Sequence, residues 1–179
     1  MKVLALGGSG GMGRFSSFAI SNYPNISKVT IADLNEANAK EFSNHFDDRF
    51  AGIGLDVTDK EHLEKVMSDH DIVLNTTGPF FKFGLPILKS AIKCKCHYFD
   101  ICDDWEPTEE MLKLNDEALK NDITAIVGLG ASPGISNLLG LKAMNELDEA
   151  ESIITGWDVS SAKPEDESSQ KGTNAAMEH

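Results

Sequence analysis

The chain has 179 residues, of which 41% are hydrophobic and 25% are charged, and its formal net charge is −13. This balance is close to that of a globular domain, allows a sizeable core and disfavours a disordered chain. The negative charge disfavours nucleic acid as a partner, because binding to phosphate backbones depends on Lys and Arg. No apolar run approaches the roughly 18 residues of a membrane span and the N-terminus lacks a signal-peptide pattern, so we expect a cytoplasmic protein without membrane association.

Short apolar runs alternate with helical stretches along most of the chain. The runs cover residues 3–6, 29–32, 51–55, 72–74, 98–101 and 123–127. Such alternation is typical of repeated βαβ units, in which helices bury both faces of each strand. The sequence therefore predicts an α/β fold with a doubly wound parallel sheet of six strands, whose ligands bind at the carboxyl ends of the strands.

Polar residues and prolines mark the expected helix starts. Asp59 precedes an amphipathic stretch over residues 61–67, and Pro107 is followed by Thr108. Both patterns are typical of the first turn of a helix.

The pattern changes after Asn145. We predict a strand over residues 152–159, a mobile polar loop over 160–173, and the start of a helix at Asn174. We therefore expect residues 1–150 to form one dinucleotide-binding domain, and residues 151–179 to begin a second substrate or dimerisation domain that is truncated here.

A glycine-rich motif follows the first predicted strand and opens the first helix. Gly8-Ser9-Gly10-Gly11-Met12-Gly13 matches G-x-G-x-x-G, the fingerprint of dinucleotide-binding domains of the Rossmann type. The three motif glycines allow the tight turn, the approach of backbone to a pyrophosphate, and close packing of helix on strand. The helix N-terminus supplies N–H groups and a positive dipole end for the phosphates.

Acidic residues follow the second and third predicted strands. Asp33 lies twenty residues after Gly13, where a carboxylate accepts hydrogen bonds from the adenosine ribose hydroxyls; the alternative is a helix cap. Asp56 and Val57 follow the third strand, where a carboxylate and a backbone amide would face adenine. For Asp56 the alternative is a simple turn residue.

The fourth strand ends in a polar turn beside the expected switch point. Its backbone and hydroxyl groups are expected to face the nicotinamide ribose, and the alternative is an ordinary Gly-Pro turn. The residues of this turn are Asn75, Thr76, Thr77, Gly78 and Pro79.

Three cysteines lie close together, at Cys94, Cys96 and Cys102. We expect free thiols, because an odd number cannot pair within one chain. A zinc site with His97 is disfavoured, because C-x-C spacing departs from that of structural zinc sites and a second ligand pair is missing. No metal site is predicted.

Four segments in this order resemble the saccharopine dehydrogenase family. They cover residues 6–14, 75–80, 97–100 and 130–134, and the resemblance extends over roughly residues 2–160. It implies an NAD(P)-binding domain joined to a second α/β domain that carries much of the substrate site and often the dimer contact, so a homodimer is expected at full length. It also implies hydride transfer at a carbon–nitrogen bond of an amino-acid or polyamine conjugate.

The resemblance places the glycine motif, Asp33, Asp56 and the turn after the fourth strand against the cofactor. It places Tyr98, Asp100 and the turn Pro133-Gly134 near the substrate cleft. Candidates for the required general acid or base are Asp100, Cys102 and Asp103, and the alternative is a carboxylate pair at a strand end beside a buried thiol.

Asp33 also predicts which nicotinamide cofactor is preferred. It is followed by Leu34 and Asn35 rather than by a cation that would hold a 2′-phosphate, so NAD is expected to bind more tightly than NADP. Arg14, in the first helical turn, is the main cation that could reverse this preference. We expect the 179-residue chain to bind cofactor without turnover. The alternative function is a non-catalytic NAD(H)-binding sensor, distinguished by cofactor binding without activity on any amino-acid or polyamine substrate.

Overall fold

The computed structural model describes residues 1–156 as a parallel sheet between helices. The strands are β1 (Lys2–Leu6), β2 (Lys28–Asp33), β3 (Phe50–Gly54), β4 (Ile72–Asn75), β5 (His97–Asp100) and β6 (Ala125–Ile126). Their order in the sheet is β3-β2-β1-β4-β5-β6, and every pairing is parallel. The predicted doubly wound sheet is therefore confirmed, with its switch point between β1 and β4.

Seven helices connect or follow these strands within residues 1–156. They are α1 (Gly11–Ser21), α2 (Glu36–Ser43), α3 (Lys60–Met67), α4 (Phe80–Lys93), α5 (Trp105–Leu112), α6 (Asn115–Lys120) and α7 (Ile135–Asn145). The predicted cap of α3 is confirmed, since the Asp59 carboxylate accepts the N–H of His62 at 3.1 Å. Pro107 lies within the first turn of α5, two residues after the helix begins. Its fixed φ suits that position.

The core lies on both faces of the sheet because side chains alternate along each strand. Leu4 and Leu6 of β1 join one buried cluster, together with α3, α4 and α5. Val3 of the same strand joins the other cluster, which contains Phe42 of α2 and Phe50 of β3. Continuous apolar strands are thus buried on both sides, as the sequence pattern predicts.

Two predicted strands differ from the structure. The sixth was expected over residues 123–127 but pairs with β5 only at Ala125 and Ile126, because Ile123 packs into the helical layer instead. The strand expected over 152–159 is absent from 152–156, because no described strand lies beside that segment to supply hydrogen bonds. Its last residues lie outside the described part of the chain, as do the loop predicted over 160–173 and the helix predicted from Asn174.

Helix α7 carries apolar side chains that remain in solvent. Ile135, Leu138, Leu139 and Leu141 are each more than half exposed, and none of its residues is buried by the described chain. None of the helices described over residues 1–156 is both long and apolar enough to cross a membrane.

Candidate functional site

The turn between β1 and α1 is built from glycine backbones in close contact. Gly7 has φ +67°, a conformation that favours glycine. A Cβ on Gly13 would lie 2.2 Å from the carbonyl oxygen of Gly7 and 2.6 Å from the Cα of Gly8. Only glycine at position 13 therefore lets α1 approach the end of β1 this closely.

The N-terminus of α1 is open to a ligand. Gly10 occupies the cap position and has no side chain to accept the first N–H groups of the helix. Gly11 and Met12 are exposed, and no atom lies within 4 Å of the position that a Cβ on Gly11 would occupy. Uncapped N–H groups at the positive end of a helix dipole form a site for an anion.

Asp33 connects the end of β2 to this glycine turn. Its Oδ2 accepts the hydroxyl of Ser9 at 2.6 Å, and its Oδ1 accepts the backbone N–H of Asn35 at 3.2 Å. A shallow surface depression begins at Asp33 and follows the first turns of α2 as far as Lys40. The carboxylate therefore borders both the glycine turn and an open groove.

Two cations lie at this end of the sheet. Arg14 donates from Nε to the carbonyl of Ser9 at 2.8 Å, and its guanidinium lies over the ring of Phe42, 4.9 Å from the centroid. Lys40 pairs with Glu36 at 2.5 Å, and the hydrogen bond from Lys40 lowers the pKa of the Glu36 carboxyl. Because Lys40 and Glu36 are exposed, their ion pair contributes little to stability.

Asp56 follows β3 at the same edge of the sheet. Its Oδ1 accepts both the N–H and the hydroxyl of Thr58, at 2.8 and 2.7 Å. These hydrogen bonds lower the pKa of the carboxyl and hold it exposed beside half-buried Val57. The residue thus has the local geometry of a turn and an accessible carboxylate.

The turn after β4 lies directly beside the glycine turn. The Thr76 hydroxyl donates to the carbonyl of Leu6 at 2.8 Å, and the backbone of Thr76 would lie 3.0 Å from a Cβ on Gly7. Buried Asn75 accepts the N–H of Thr77 on its Oδ1 at 3.0 Å. The Thr77 hydroxyl is buried and has no hydrogen-bond partner within the described residues. Gly78 is exposed, and Pro79 occupies the cap position of α4.

The three candidates for acid–base chemistry differ in accessibility. Asp100 and Cys102 have no exposed surface, and burial raises the pKa of both side chains. Asp103 is exposed. In this conformation neither Asp100 nor Cys102 reaches solvent, so the structure disfavours both as proton donors or acceptors for a substrate. Asp103 remains a candidate.

The structure brings the predicted residues together at the carboxyl edge of the sheet. The glycine motif lies between Asp33, at the end of β2, and the turn over 75–79, at the end of β4. Asp56 lies at the same edge, two strands away from β1. Sequence reasoning missed Gly7 as a site residue, although the doubled glycine after Leu6 was a signal that the turn begins there.

Comparison with known proteins identifies the family. Residues 3–126 match the family model described as the saccharopine dehydrogenase NADP binding domain. The chain belongs to the saccharopine dehydrogenase family. Saccharopine dehydrogenase (NADP(+), L-glutamate-forming) from Saccharomyces cerevisiae is 31% identical over 122 residues, which are 68% of this chain and 26% of the relative. The enzyme of the same name from Schizosaccharomyces pombe is 29% identical over the same shares. The chain thus spans about a quarter of the length of these curated relatives.

Solved structures agree with this assignment. Apo saccharopine dehydrogenase (L-Glu forming) from Saccharomyces cerevisiae superposes with a TM-score of 0.69 at 30% identity, covering 81% of this chain and 31% of that one. A putative myo-inositol dehydrogenase from Sinorhizobium meliloti gives 0.57 at 18% identity, covering 82% and 41%, which shows a shared fold alone.

The site fits the nicotinamide dinucleotide that a saccharopine dehydrogenase domain implies. The space beside Gly11 is open, with no described atom within 4 Å of a Cβ built there, and the uncapped helix suits a pyrophosphate. The hydroxyl of Thr77 is buried and has no hydrogen-bond partner among the described residues. A buried polar atom left unpaired is costly, so this hydroxyl marks an incomplete part of the site. Within residues 1–156 no group of three or more His, Cys, Asp or Glu side chains is arranged to hold a metal ion.

Proposed function

We propose that this chain is the cofactor-binding domain of an NAD(P)-dependent oxidoreductase that transfers hydride at a carbon–nitrogen bond of an amino-acid or polyamine conjugate. Membership of the saccharopine dehydrogenase family is the observation that carries the proposal. The bound nicotinamide would supply or accept the hydride, and the protein would orient it and exclude water. The reaction makes or breaks a secondary amine.

Each part of the site has one role in this proposal. The motif from Gly8 to Gly13 holds the pyrophosphate through backbone N–H groups. Asp33 accepts hydrogen bonds from the adenosine ribose, and Asp56 with the amide of Val57 borders the adenine. The turn from Asn75 to Pro79 lies against the nicotinamide ribose.

We further propose that the domain binds NADH more tightly than NADPH. The matched relatives are named as NADP(+) enzymes, so this preference rests on Asp33 alone. A carboxylate about 4 Å from a phosphate charge repels it by roughly 4 kcal/mol at an effective dielectric of about 20, and screening by salt reduces that figure. A remainder of about 1.4 kcal/mol still gives a tenfold preference. Arg14 opposes it, but its guanidinium already donates to Ser9 and lies over Phe42.

Fluorescence titration with each reduced cofactor tests both the site and the preference. The unmutated domain should bind NADH about tenfold more tightly than NADPH. Asp33→Ala should lose most of that discrimination, whereas Asp48→Ala, which removes an exposed carboxylate from the loop before β3, should retain it. Tighter binding of NADPH by the unmutated domain would refute the preference. Unchanged discrimination in Asp33→Ala would remove Asp33 as its cause.

The reaction itself is tested on the intact polypeptide that carries this domain. Oxidation of NADH should depend on an amino acid or polyamine together with a carbonyl compound, and Asp103→Asn should slow it if Asp103 handles the proton. The 179-residue chain should bind cofactor without turnover, because a hydride site needs walls on both sides. Cofactor binding by the intact polypeptide without turnover of any such substrate would instead favour a sensor.

We propose that the exposed face of α7 packs against a second domain that residues 151–179 begin, and that this domain carries the substrate and homodimer contacts. Contiguous exposed apolar side chains such as Leu138 and Leu139 mark contact surfaces. Leu138→Glu in the intact polypeptide should lower its unfolding temperature, or should change the mass of the assembly that light scattering measures in solution. An unchanged unfolding temperature and an unchanged mass would contradict the packing.

A further inference from the structure

We propose that Asp100 is a positioning residue, whose buried carboxylate fixes the turn that we assign to the nicotinamide ribose and the turn that begins at Gly128. This inference rests on the proposed cofactor site. It assigns to Asp100 a role different from proton transfer, because the carboxylate is fully buried and all its partners are protein groups.

The carboxylate lies at the end of a chain of three buried side chains. Asn75, Tyr98 and Asp100 are each 0% exposed. The Tyr98 hydroxyl donates to Asp100 Oδ2 at 2.7 Å and accepts from Asn75 Nδ2 at 3.0 Å. Asn75 Oδ1 in turn accepts the backbone N–H of Thr77 at 3.0 Å. A continuous set of hydrogen bonds therefore joins Asp100 to the turn that we assign to the nicotinamide ribose.

The other carboxylate oxygen of Asp100 accepts hydrogen bonds from a second loop, which begins at Gly128. Asp100 Oδ1 accepts the N–H of Gly128 at 2.8 Å and that of Cys102 at 3.0 Å. The main-chain carbonyl of Asp100 also accepts the N–H of Leu129 at 2.7 Å. The start of the turn over 128–134 is thus attached to the same residue.

The turn over 128–134 has a conformation that needs glycine at both ends. Gly128 has φ +74° and Gly134 has φ +116°. A Cβ on Gly134 would lie 2.2 Å from the carbonyl oxygen of Gly130. The turn has an internal hydrogen bond from the Gly130 N–H to the Pro133 carbonyl at 3.1 Å, and its first two residues are held by Asp100.

Sheet register explains why the three side chains meet. Asn75 is the register partner of Leu6 on one side and of Asp100 on the other, so the last residues of β1, β4 and β5 form one row. Burying a carboxylate is costly unless its hydrogen bonds are satisfied, and here three donors satisfy it. The hydrogen-bond network of Asn75, Tyr98 and Asp100 therefore fixes the relative positions of the ends of β4 and β5 beside the switch point.

Two substitutions break the hydrogen bond between Tyr98 and Asp100 while keeping side chains of nearly the same size and shape. Tyr98→Phe removes the hydroxyl that joins Asn75 to Asp100. Asp100→Asn keeps an oxygen for the N–H groups of Gly128 and Cys102, but places an amide NH₂ where the Tyr98 hydroxyl needs an acceptor.

Titration with NADH and with ADP, which lacks both the nicotinamide and its ribose, tests the proposal. Each variant should weaken NADH binding about tenfold, because the turn that faces the nicotinamide ribose loses its link to Asp100, while ADP affinity changes less than about twofold. Because both substitutions break the same link, the double variant should bind NADH no worse than about twofold below either single one.

The control is Thr30→Val, which removes another buried hydrogen bond, the 2.7 Å contact with His70 near the opposite edge of the sheet. It should lower thermal stability without changing the ratio of the two affinities. A second measurement needs no ligand: amide exchange of Thr77 should accelerate in Tyr98→Phe, whereas Gly128 should stay protected.

The titrations and the amide-exchange measurement can each overturn the proposed role of Asp100. Parallel loss of NADH and ADP affinity in the variants, unchanged NADH binding, or unchanged exchange at Thr77 would overturn the positioning role. A wild-type chain that binds neither ligand would refute the proposed cofactor site and this inference with it.

Discussion

Gly13→Ala should distort the cofactor turn while adding a single methyl group. The new Cβ would lie 2.2 Å from the oxygen of Gly7 and within 2.8 Å of two backbone carbons of Gly8. No side chain there can rotate away, so α1 must withdraw by roughly 1 Å to reach ordinary contact. Overpacking of this kind typically costs about 1–3 kcal/mol, and rigid backbone on both sides favours the upper half of that range.

Thermal unfolding and NADH titration measure the effect. A loss of about 2–3 kcal/mol lowers the unfolding temperature of a domain this size by roughly 5–12 °C. The same shift moves the first-turn N–H groups of α1 away from the pyrophosphate, so NADH affinity should fall by more than about tenfold.

Gly11→Ala is the matched control, since its Cβ would meet no atom within 4 Å. Alanine favours a helix over glycine by up to about 1 kcal/mol, so the unfolding temperature should stay the same or rise slightly. Equal unfolding temperatures for Gly13→Ala and Gly11→Ala would refute the close-approach argument.

Two further predictions concern stability away from the site. The Arg49 guanidinium donates to the carbonyls of Ser21, the last residue of α1, and of Tyr23 and Ile26 in the loop that follows, at 2.9, 3.1 and 3.0 Å. Arg49→Lys should lower the free energy of unfolding by about 1–2 kcal/mol, because one ammonium group cannot replace the forked guanidinium. A urea midpoint equal to that of the wild type would contradict this. Burial lowers the pKa of His70, whose Nδ1 donates to the Val66 carbonyl at 2.8 Å and whose Nε2 accepts the Thr30 hydroxyl. Because the folded state holds the neutral ring, this stability is complete above about pH 7 and is lost as pH falls below about 6.5. His70→Gln should flatten the dependence of unfolding temperature on pH between about 7.5 and 5.5, whereas exposed His62→Gln should not, and equal slopes in the two variants would exclude His70 as the source.

Local sequence determined the first five strands, the order of the elements and the glycine turn. Strands buried on both faces read as apolar runs, and caps such as Asp59 act within four residues, so both are visible in short windows. The tasks of Gly8, Gly10 and Gly13 follow likewise from their spacing after β1. Asp33 was found because its distance from the glycine motif is set by the length of one βα unit.

Only the tertiary structure decided which side chains meet. Tyr98 lies 23 residues after Asn75, and Gly128 lies 28 after Asp100, yet one network joins them because parallel strands bring their carboxyl ends to one edge. Burial likewise separated Asp100 and Cys102 from exposed Asp103, three residues that look equally suited to proton transfer in the sequence. Local patterns carry propensity and spacing, whereas burial and partners depend on contacts between segments far apart in the chain. That is why the sequence predicts a glycine turn that the structure contains, but offers Asp100 as one of three candidates for proton transfer, a role that its buried surroundings disfavour.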